Sequence, residues 1–297
     1  MALYSEKMQA YQSLIEESLP KYLPATDTPW ATTARAMAYA CEGGGKRLRP
    51  VLMMAFADLC GGDAKSVLPF ACALEMIHSS SLVHDDLPCM DNSPLRRGKP
   101  SVHVEFGEDM ALLAGDSLLN RAYEVMLDPA SAPEIPVDAR LRAAFVIAQA
   151  TGIDGMMGGQ TMDLESEHKR IDAETLETLQ RGKTAALLRA ACAAGAILAG
   201  ADDARVAAAS DYGETLGLCF QIVDDLLDVT ATAEQLGKPV GLDAGHDKAT
   251  YVTLLGLTAA REMADRREQE AQRALDAFGE AAEELRRLTE QLLSRTC

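Results

Sequence analysis

No apolar run in the sequence approaches the roughly 18 residues needed to cross a bilayer, so a membrane-spanning helix is not expected. The opening stretch, MALYSEKMQAYQSLIEESLP, mixes acidic, basic and scattered apolar side chains. It lacks the charged start and unbroken apolar centre of a signal peptide. Basic residues are scarce: 28 Lys and Arg stand against 45 Asp and Glu, a formal net charge of −17, which disfavours sequence-independent attraction to nucleic acid. An anionic small molecule would therefore have to be captured by a local cluster of cations. The seven cysteines are odd in number and lie mostly in apolar helical patterns, so reduced core thiols and a cytoplasmic protein are expected. There is no Pro/Gly/Ser-rich linker, internal repeat or low-complexity segment, and positions 1–297 read as one domain.

Alternating strand-like runs are missing as well. Apolar residues recur at three- and four-residue spacing, and Ala, Leu, Glu, Met and Arg dominate, which reads as helix. Punctuation falls at 20–29, 43–45, 61–62, 88–100, 129–136 and 237–245. The segments 67–83 and 185–201 are apolar nearly all round, as expected of central helices, whereas 257–293 is striped with Glu and Arg and belongs on the outside. The expected fold class is all-α, a helical bundle with a buried central layer.

Chemistry concentrates in two acidic clusters. In IHSSSLVHDDLPCMD an apolar helix runs into Asp85, Asp86 and, after Pro88, Asp91. Carboxylates crowded this closely repel one another unless a cation neutralises them, and a hard divalent metal is the natural partner. In FQIVDDLLDV a second apolar helix carries Asp224, Asp225 and Asp228, with the first and last one turn apart on one face. Either cluster alone reads equally well as a solvated helix terminus. Two of them in apolar helices argue for one shared cavity in which magnesium bridges carboxylates to phosphate oxygens.

The cations cluster too. GGGKRLRP carries Lys46, Arg47 and Arg49; LRRGKP carries Arg96, Arg97 and Lys99; RGKTAALL carries Lys183 and Thr184; LGKPVGLDAGHDKATY carries Lys238 and Lys248. Glycine lets backbone approach an anion closely, and the arginine fork matches phosphate oxygens. Of these, Arg47 and Lys99 read as simply solvated.

The strings GGGKRLRP, HDDLPCMDNSPLRRGKPSVH, GKTAALL, FQIVDDLLD and LGKPVGLD followed by DKATY stand in a particular order and spacing. In both respects the chain, from roughly position 40 to 255, resembles the trans-isoprenyl diphosphate synthases, the group containing farnesyl and geranylgeranyl diphosphate synthases. The resemblance implies an isoprenoid-synthase-like bundle of about ten or more helices around a central cavity. It implies magnesium as cofactor, three ions with substrate bound and manganese able to substitute. It makes Asp85, Asp91 and Asp224 the principal metal ligands, supported by Asp86, Asp225 and Asp228. Arg96, Lys183, Thr184, Gln221, Lys238 and Lys248 match positions that contact the allylic diphosphate, with Lys183 closest to the chemistry. Lys46, Arg49, His78 and Arg97 match the isopentenyl diphosphate site. On an apolar helix His78 would otherwise read as a core histidine.

In such a reaction metals and cations stabilise the departing pyrophosphate while an allylic cation forms, the isopentenyl double bond attacks, and a proton is lost to the pyrophosphate. No protein nucleophile is needed, so His84 and Cys89 read as structural or as supporting the metal ligands indirectly. A homodimer without stable membrane association is implied. The chain departs from the family pattern after Asp91, where Asn92, Ser93, Pro94 and Leu95 replace further acids, and weaker metal affinity is expected. Product length rests on the helix before Asp85. Ser80 and Ser81 sit about one turn before it, where the growing hydrocarbon descends, and Ser80 replaces the aromatic that farnesyl-forming relatives often carry. Met76, Ile77 or the helix holding Leu112 and Leu113 would then supply the floor. Farnesyl diphosphate is the first expectation and geranylgeranyl diphosphate the second. A terpene cyclase would not keep DDLLD or need GGGKRLRP, and a non-catalytic regulatory subunit would have no need of both acidic clusters.

Overall fold

The computed structural model describes residues 4–230 and 249–293. Its helices are α1 (Glu6–Tyr22), α2 (Ala31–Glu42), α3 (Leu48–Leu59), α4 (Leu68–Asp85), α5 (Val102–Phe106), α6 (Glu108–Leu127) and α7 (Val137–Thr151). There follow α8 (Met156–Ser166), α9 (Ala173–Gln180), a π-helical turn (Arg181–Ala185), α10 (Ala186–Leu198) and α11 (Asp203–Thr230). After the undescribed stretch come α12 (Tyr251–Leu255), α13 (Leu257–Ala274), a 3-10 segment (Leu275–Ala282) and α14 (Glu283–Leu293). The all-α expectation holds.

Local chemistry sets the ends of these helices. Ser5 caps α1 by accepting from the Met8 amide at 3.3 Å, and Asp172 caps α9 through the Thr175 amide at 2.8 Å. Thr250 and Thr253 form a reciprocal capping box at the start of α12. Pro69 stands in the first turn of α4, where a missing N–H costs nothing.

Central helices are the ones whose sequence is apolar all round. In α10 every residue except Arg189 is buried, and small alanines let α3, α7 and α11 close around it. In the same layer α4 packs along α6. On the outside α13 buries only Ala260, Ala264 and Ala271, against α11. Few aromatics enter the core, and Phe56 links the layers, its ring 5.4 Å from that of Tyr212 and 5.6 Å from that of Phe278.

One feature differs from the sequence reading. The LRRGKP segment forms an antiparallel hairpin, β1 (Leu95–Arg96) with β2 (Lys99–Pro100). Arg97 and Gly98 both have positive φ, 53° and 77°, which is the two-residue turn that matches strand twist. The outer C-terminal stretch lies outside as expected and is broken at Gly279, where φ is 61° and ψ is −144°.

Candidate active site

Two cavities share one wall. The larger, about 750 Å³, is lined among others by Lys46, Arg49, His78, Arg97, Phe220 and Asp224. The smaller, about 310 Å³, is lined by Ser80, Ser81, Asp85, Met90, Leu119 and Lys183. Arg49, His78, Leu82 and Thr184 border both, so cations, carboxylates and an apolar recess meet in one place.

The first acidic cluster comes from the end of α4 and the loop that follows it. The Asp91 amide donates to the Asp85 carbonyl at 2.9 Å, which folds the loop back so that Asp91 returns to Asp85. Burial raises the Asp85 pKa; Lys183 and Arg96 oppose the rise, and Asp91 and Asp86 add to it. A carboxylate placed so is stabilised by an added cation. From α11, Asp224 is exposed at the larger cavity and Asp228 lies one turn on, partly exposed. Among the described residues no three His, Cys, Asp or Glu side chains form a metal cage. Oxygen donors set on two helices instead suit a hard divalent ion bridged to a diphosphate.

Two expected metal residues are placed otherwise. Asp86 is buried, and both its oxygens accept from Arg96 Nε and Nη2 at 2.5 to 3.2 Å. This fork-to-fork pair withdraws Asp86 from ligation and occupies the Arg96 edge expected to reach a diphosphate. Asp225 is also buried, accepting from the Tyr251 amide at 2.8 Å and from Gln221 Nε2 at 3.4 Å, and so ties α11 to α12.

Arg47 corrects the sequence reading in the opposite direction. Rather than being solvated, it is buried at a positive φ of 48°, donating to Glu75 at 2.8 Å, Glu16 at 2.9 Å and the Cys41 carbonyl at 2.6 Å. That anchor fixes the GGGK loop from beneath. Around it Lys46 lies 5.3 Å over the Phe220 ring, Arg97 donates to the Gly44 carbonyl, and Arg49 Nη1 is 3.5 Å from His78 Nε2. Arg49 Nε is buried with no hydrogen-bond partner among the described residues. Burial first, then Arg49, Arg97 and other cations, holds His78 well below its ordinary value; burial likewise lowers Arg49 and Arg97. Arg49 and His78 are the poorly solvated members of this group, whereas Lys46 and Arg97 reach the surface. Lys99 is exposed, as expected.

The π-turn presents the third group. A widened helical turn projects Lys183 and Thr184 inward, and such bulges recur at functional sites. Lys183 Nζ donates to Asp163 at 2.5 Å, and Thr184 Oγ1 to Gln221 Oε1 at 3.3 Å. Here α8 comes into backbone contact with the turn: a β-carbon added at Gly159 would lie 2.1 Å from the Lys183 nitrogen. Sequence reasoning missed two residues of α8 in this site. Gln160 lines the smaller cavity with its amide nitrogen buried and unpartnered among the described residues, and Asp163 holds Lys183. The signal was GGQTMD, a glycine pair followed by polar groups three residues apart. Lys238 and Lys248 lie outside the described residues.

The polyprenyl synthetase family profile matches residues 31–292. The chain belongs to that family. It is 45% identical to the farnesyl diphosphate synthase of Geobacillus stearothermophilus, the match covering 84% of this chain and 83% of that protein. It is 43% identical to geranylgeranyl pyrophosphate synthase 9 of Arabidopsis thaliana, over 92% of this chain and 74% of the relative. Among solved structures, geranylgeranyl pyrophosphate synthetase from Pyrococcus horikoshii superposes with a TM-score of 0.88 at 31% identity, over 97% of each chain. This polyprenyl synthetase is a prenyltransferase of the short-chain trans type, and its family works with a divalent metal.

In the synthetase's smaller cavity Ser80, 3% exposed, and Ser81 stand on the wall, whereas Met76 and Ile77 are wholly buried and are not among its lining residues. The α6 contribution is Leu119 rather than Leu112 and Leu113, which point to the surface. Leu82, Met90, Met156 and Met157 supply the rest of the apolar lining.

Proposed function

We propose that this polyprenyl synthetase joins isopentenyl diphosphate to an allylic diphosphate in the composite cavity, with magnesium as its metal, and extends the chain to twenty carbons. The observation that carries the reading is the Nε of Arg49 beside His78, buried and unpartnered among the described residues, across one cavity from Asp224 and bordering the other at Asp85. An anion on the cationic side and a cation on the acidic side satisfy both at once.

In this reading Lys46, Arg49, His78 and Arg97 hold the isopentenyl diphosphate. Asp85, Asp91 and Asp224, with Asp228 behind them, are the groups that would hold magnesium, and manganese would serve in its place. When bound, the metal neutralises the charge that develops on the leaving diphosphate. Lys183, Thr184 and Gln221 orient that group, while Asp86 and Asp225 act by fixing Arg96 and α12; Lys238 and Lys248 join the set on sequence grounds. The allylic carbon–oxygen bond breaks, the isopentenyl double bond forms the new carbon–carbon bond, and the lost proton leaves with pyrophosphate. Leu82, Leu188 and Phe220 on the larger cavity's wall keep water from the cation. We place the enzyme in the cytoplasm as a homodimer.

Ser80 supports the twenty-carbon product because a small buried side chain leaves the recess open beneath Asp85. The second reading is fifteen carbons, favoured by Leu119 and the methionines, which line the same recess with bulky side chains. Chromatography of dephosphorylated products after incubation with isopentenyl and dimethylallyl diphosphates, with and without magnesium, decides between them. Magnesium-dependent geranylgeraniol is expected, turning to farnesol in Ser80→Tyr. Farnesol from the unaltered enzyme would move the floor to Leu119 and the methionines, and no prenyl alcohol would leave the cyclase and non-catalytic readings.

A further inference from the structure

His84 lies on the wall of the smaller cavity, immediately before Asp85. Its ring fills a notch in α6. A β-carbon added at Gly115 would lie 2.1 Å from His84 Nε2 and 2.4 Å from Cδ2, so the imidazole occupies space that only glycine leaves open. From that seat Nε2 is 3.3 Å from the Leu112 carbonyl oxygen and 3.6 Å from Asp116 Oδ1. Both neighbours only accept, which requires the proton on Nε2. The Asp116 side chain is 64% exposed, so its attraction is screened, and the steric fit with the carbonyl contact does most of the holding.

What the ring holds is the last turn of α4. The His84 carbonyl accepts from the Leu87 amide at 3.1 Å, and the next carbonyl, of Asp85, accepts from the Asp91 amide at 2.9 Å. Beyond Asp85 the backbone leaves the helix, so nothing C-terminal within α4 restrains this turn. The cross-link to α6 is therefore a lateral restraint on this turn, beside the Asp86–Arg96 pair that follows it.

We propose that His84, seated on Gly115, is a positioning residue that sets the spacing of Asp85 and Asp91 for the metal-bridged diphosphate; it rests on the reading of those acids given above. The experiment compares His84→Ala, His84→Gln, Gly115→Ala and Asp85→Ala in the full chain. Magnesium binding is titrated calorimetrically in the presence of geranyl thiolodiphosphate, whose carbon–sulfur bond resists ionisation. Turnover against magnesium and the KM for isopentenyl diphosphate are measured beside it.

His84→Ala and Gly115→Ala are expected to weaken magnesium binding by about tenfold, the range found when a group supporting a metal ligand is lost. The KM for isopentenyl diphosphate stays unchanged. His84→Gln recovers part of the loss, because its longer side chain carries an amide N–H out to the position of Nε2, where it can donate to the Leu112 carbonyl. If Gly115→Ala does not fold, the two His84 variants decide. A His84→Ala enzyme that binds magnesium normally while Asp85→Ala does not would overturn the positioning role alone, even if its thermal midpoint falls. Normal binding in Asp85→Ala would overturn the metal reading, and this inference with it.

Discussion

A guanidinium buried in a left-handed turn needs compensation, and Arg47 has it from two helices at once, Glu75 of α4 and Glu16 of α1. Replacing a whole buried ion pair by apolar groups is often neutral, but removing one partner strands the other charge, at a cost of about 3–5 kcal/mol. Arg47→Met is therefore expected to lower stability in urea by roughly that amount, and Arg47→Met with Glu75→Leu to regain most of it. Equal losses in single and double variants would refute the pairing. His78 yields a second expectation at this scale, because its folded pKa is depressed by burial and by Arg49, Arg97, Arg47 and Arg96. Below about pH 6.5 the unfolded chain protonates this ring and the folded chain does not. The unfolded state then binds more protons, and stability falls as pH drops from that value, by up to about 1.4 kcal/mol per pH unit. Urea unfolding at pH 7.5 and 5.5 should show the loss, and His78→Gln should lessen it.

At the scale of elements, the central helices carry the thiols. Burial pushes Cys41, Cys72 and Cys219 up to about 12 and lifts Cys192 well above its ordinary value, whereas Cys89 sits exposed on the loop after α4. Since the thiolate is the reactive form, iodoacetamide at pH 8 is expected to modify Cys89 while sparing those four until urea opens the fold, as peptide mapping would show. Modification of Cys192 in the folded protein would contradict the packing of α10. The same helices explain what was legible in sequence. An all-round apolar pattern announced α4 and α10, and acids embedded in such patterns announced Asp85 and Asp224. The hairpin at Arg97 and Gly98 was not legible, because two-residue strands have no periodicity to read. Nor were the partners of Arg47 and Asp86: one is met by Glu75 and Glu16 from other helices, the other by Arg96 across a turn. Charge beside glycine looks solvated until folding brings its counter-charge. Gln160 and Asp163 had a local signal, yet only the contact of Gly159 with the π-turn gives it meaning.

For the whole molecule the outstanding feature is an apolar stripe turned outward. On α7 Val137, Leu141 and Phe145 recur every fourth residue and are 69%, 61% and 60% exposed, and Leu112 and Leu113 of α6 are exposed as well. A surface helix ordinarily turns such a stripe inward, and contiguous exposed apolar area marks an association face. A second copy of the chain is the occupant we propose, since a two-fold contact lets one stripe cover its twin. The formal charge of −17 works against this, because two like-charged copies repel until salt screens them. Association should then rest on apolar burial and tighten as ionic strength rises, the reverse of a contact held by salt bridges. Light scattering is expected to give twice the chain mass, with dissociation on dilution occurring more readily at low salt. Leu141→Glu combined with Phe145→Glu should yield the single-chain mass with helicity retained, because both side chains already face water in one copy. A wild-type mass of one chain at high salt would refute the pairing, and a dimer that loosens with salt would move its basis from these apolar residues to charges elsewhere on the surface.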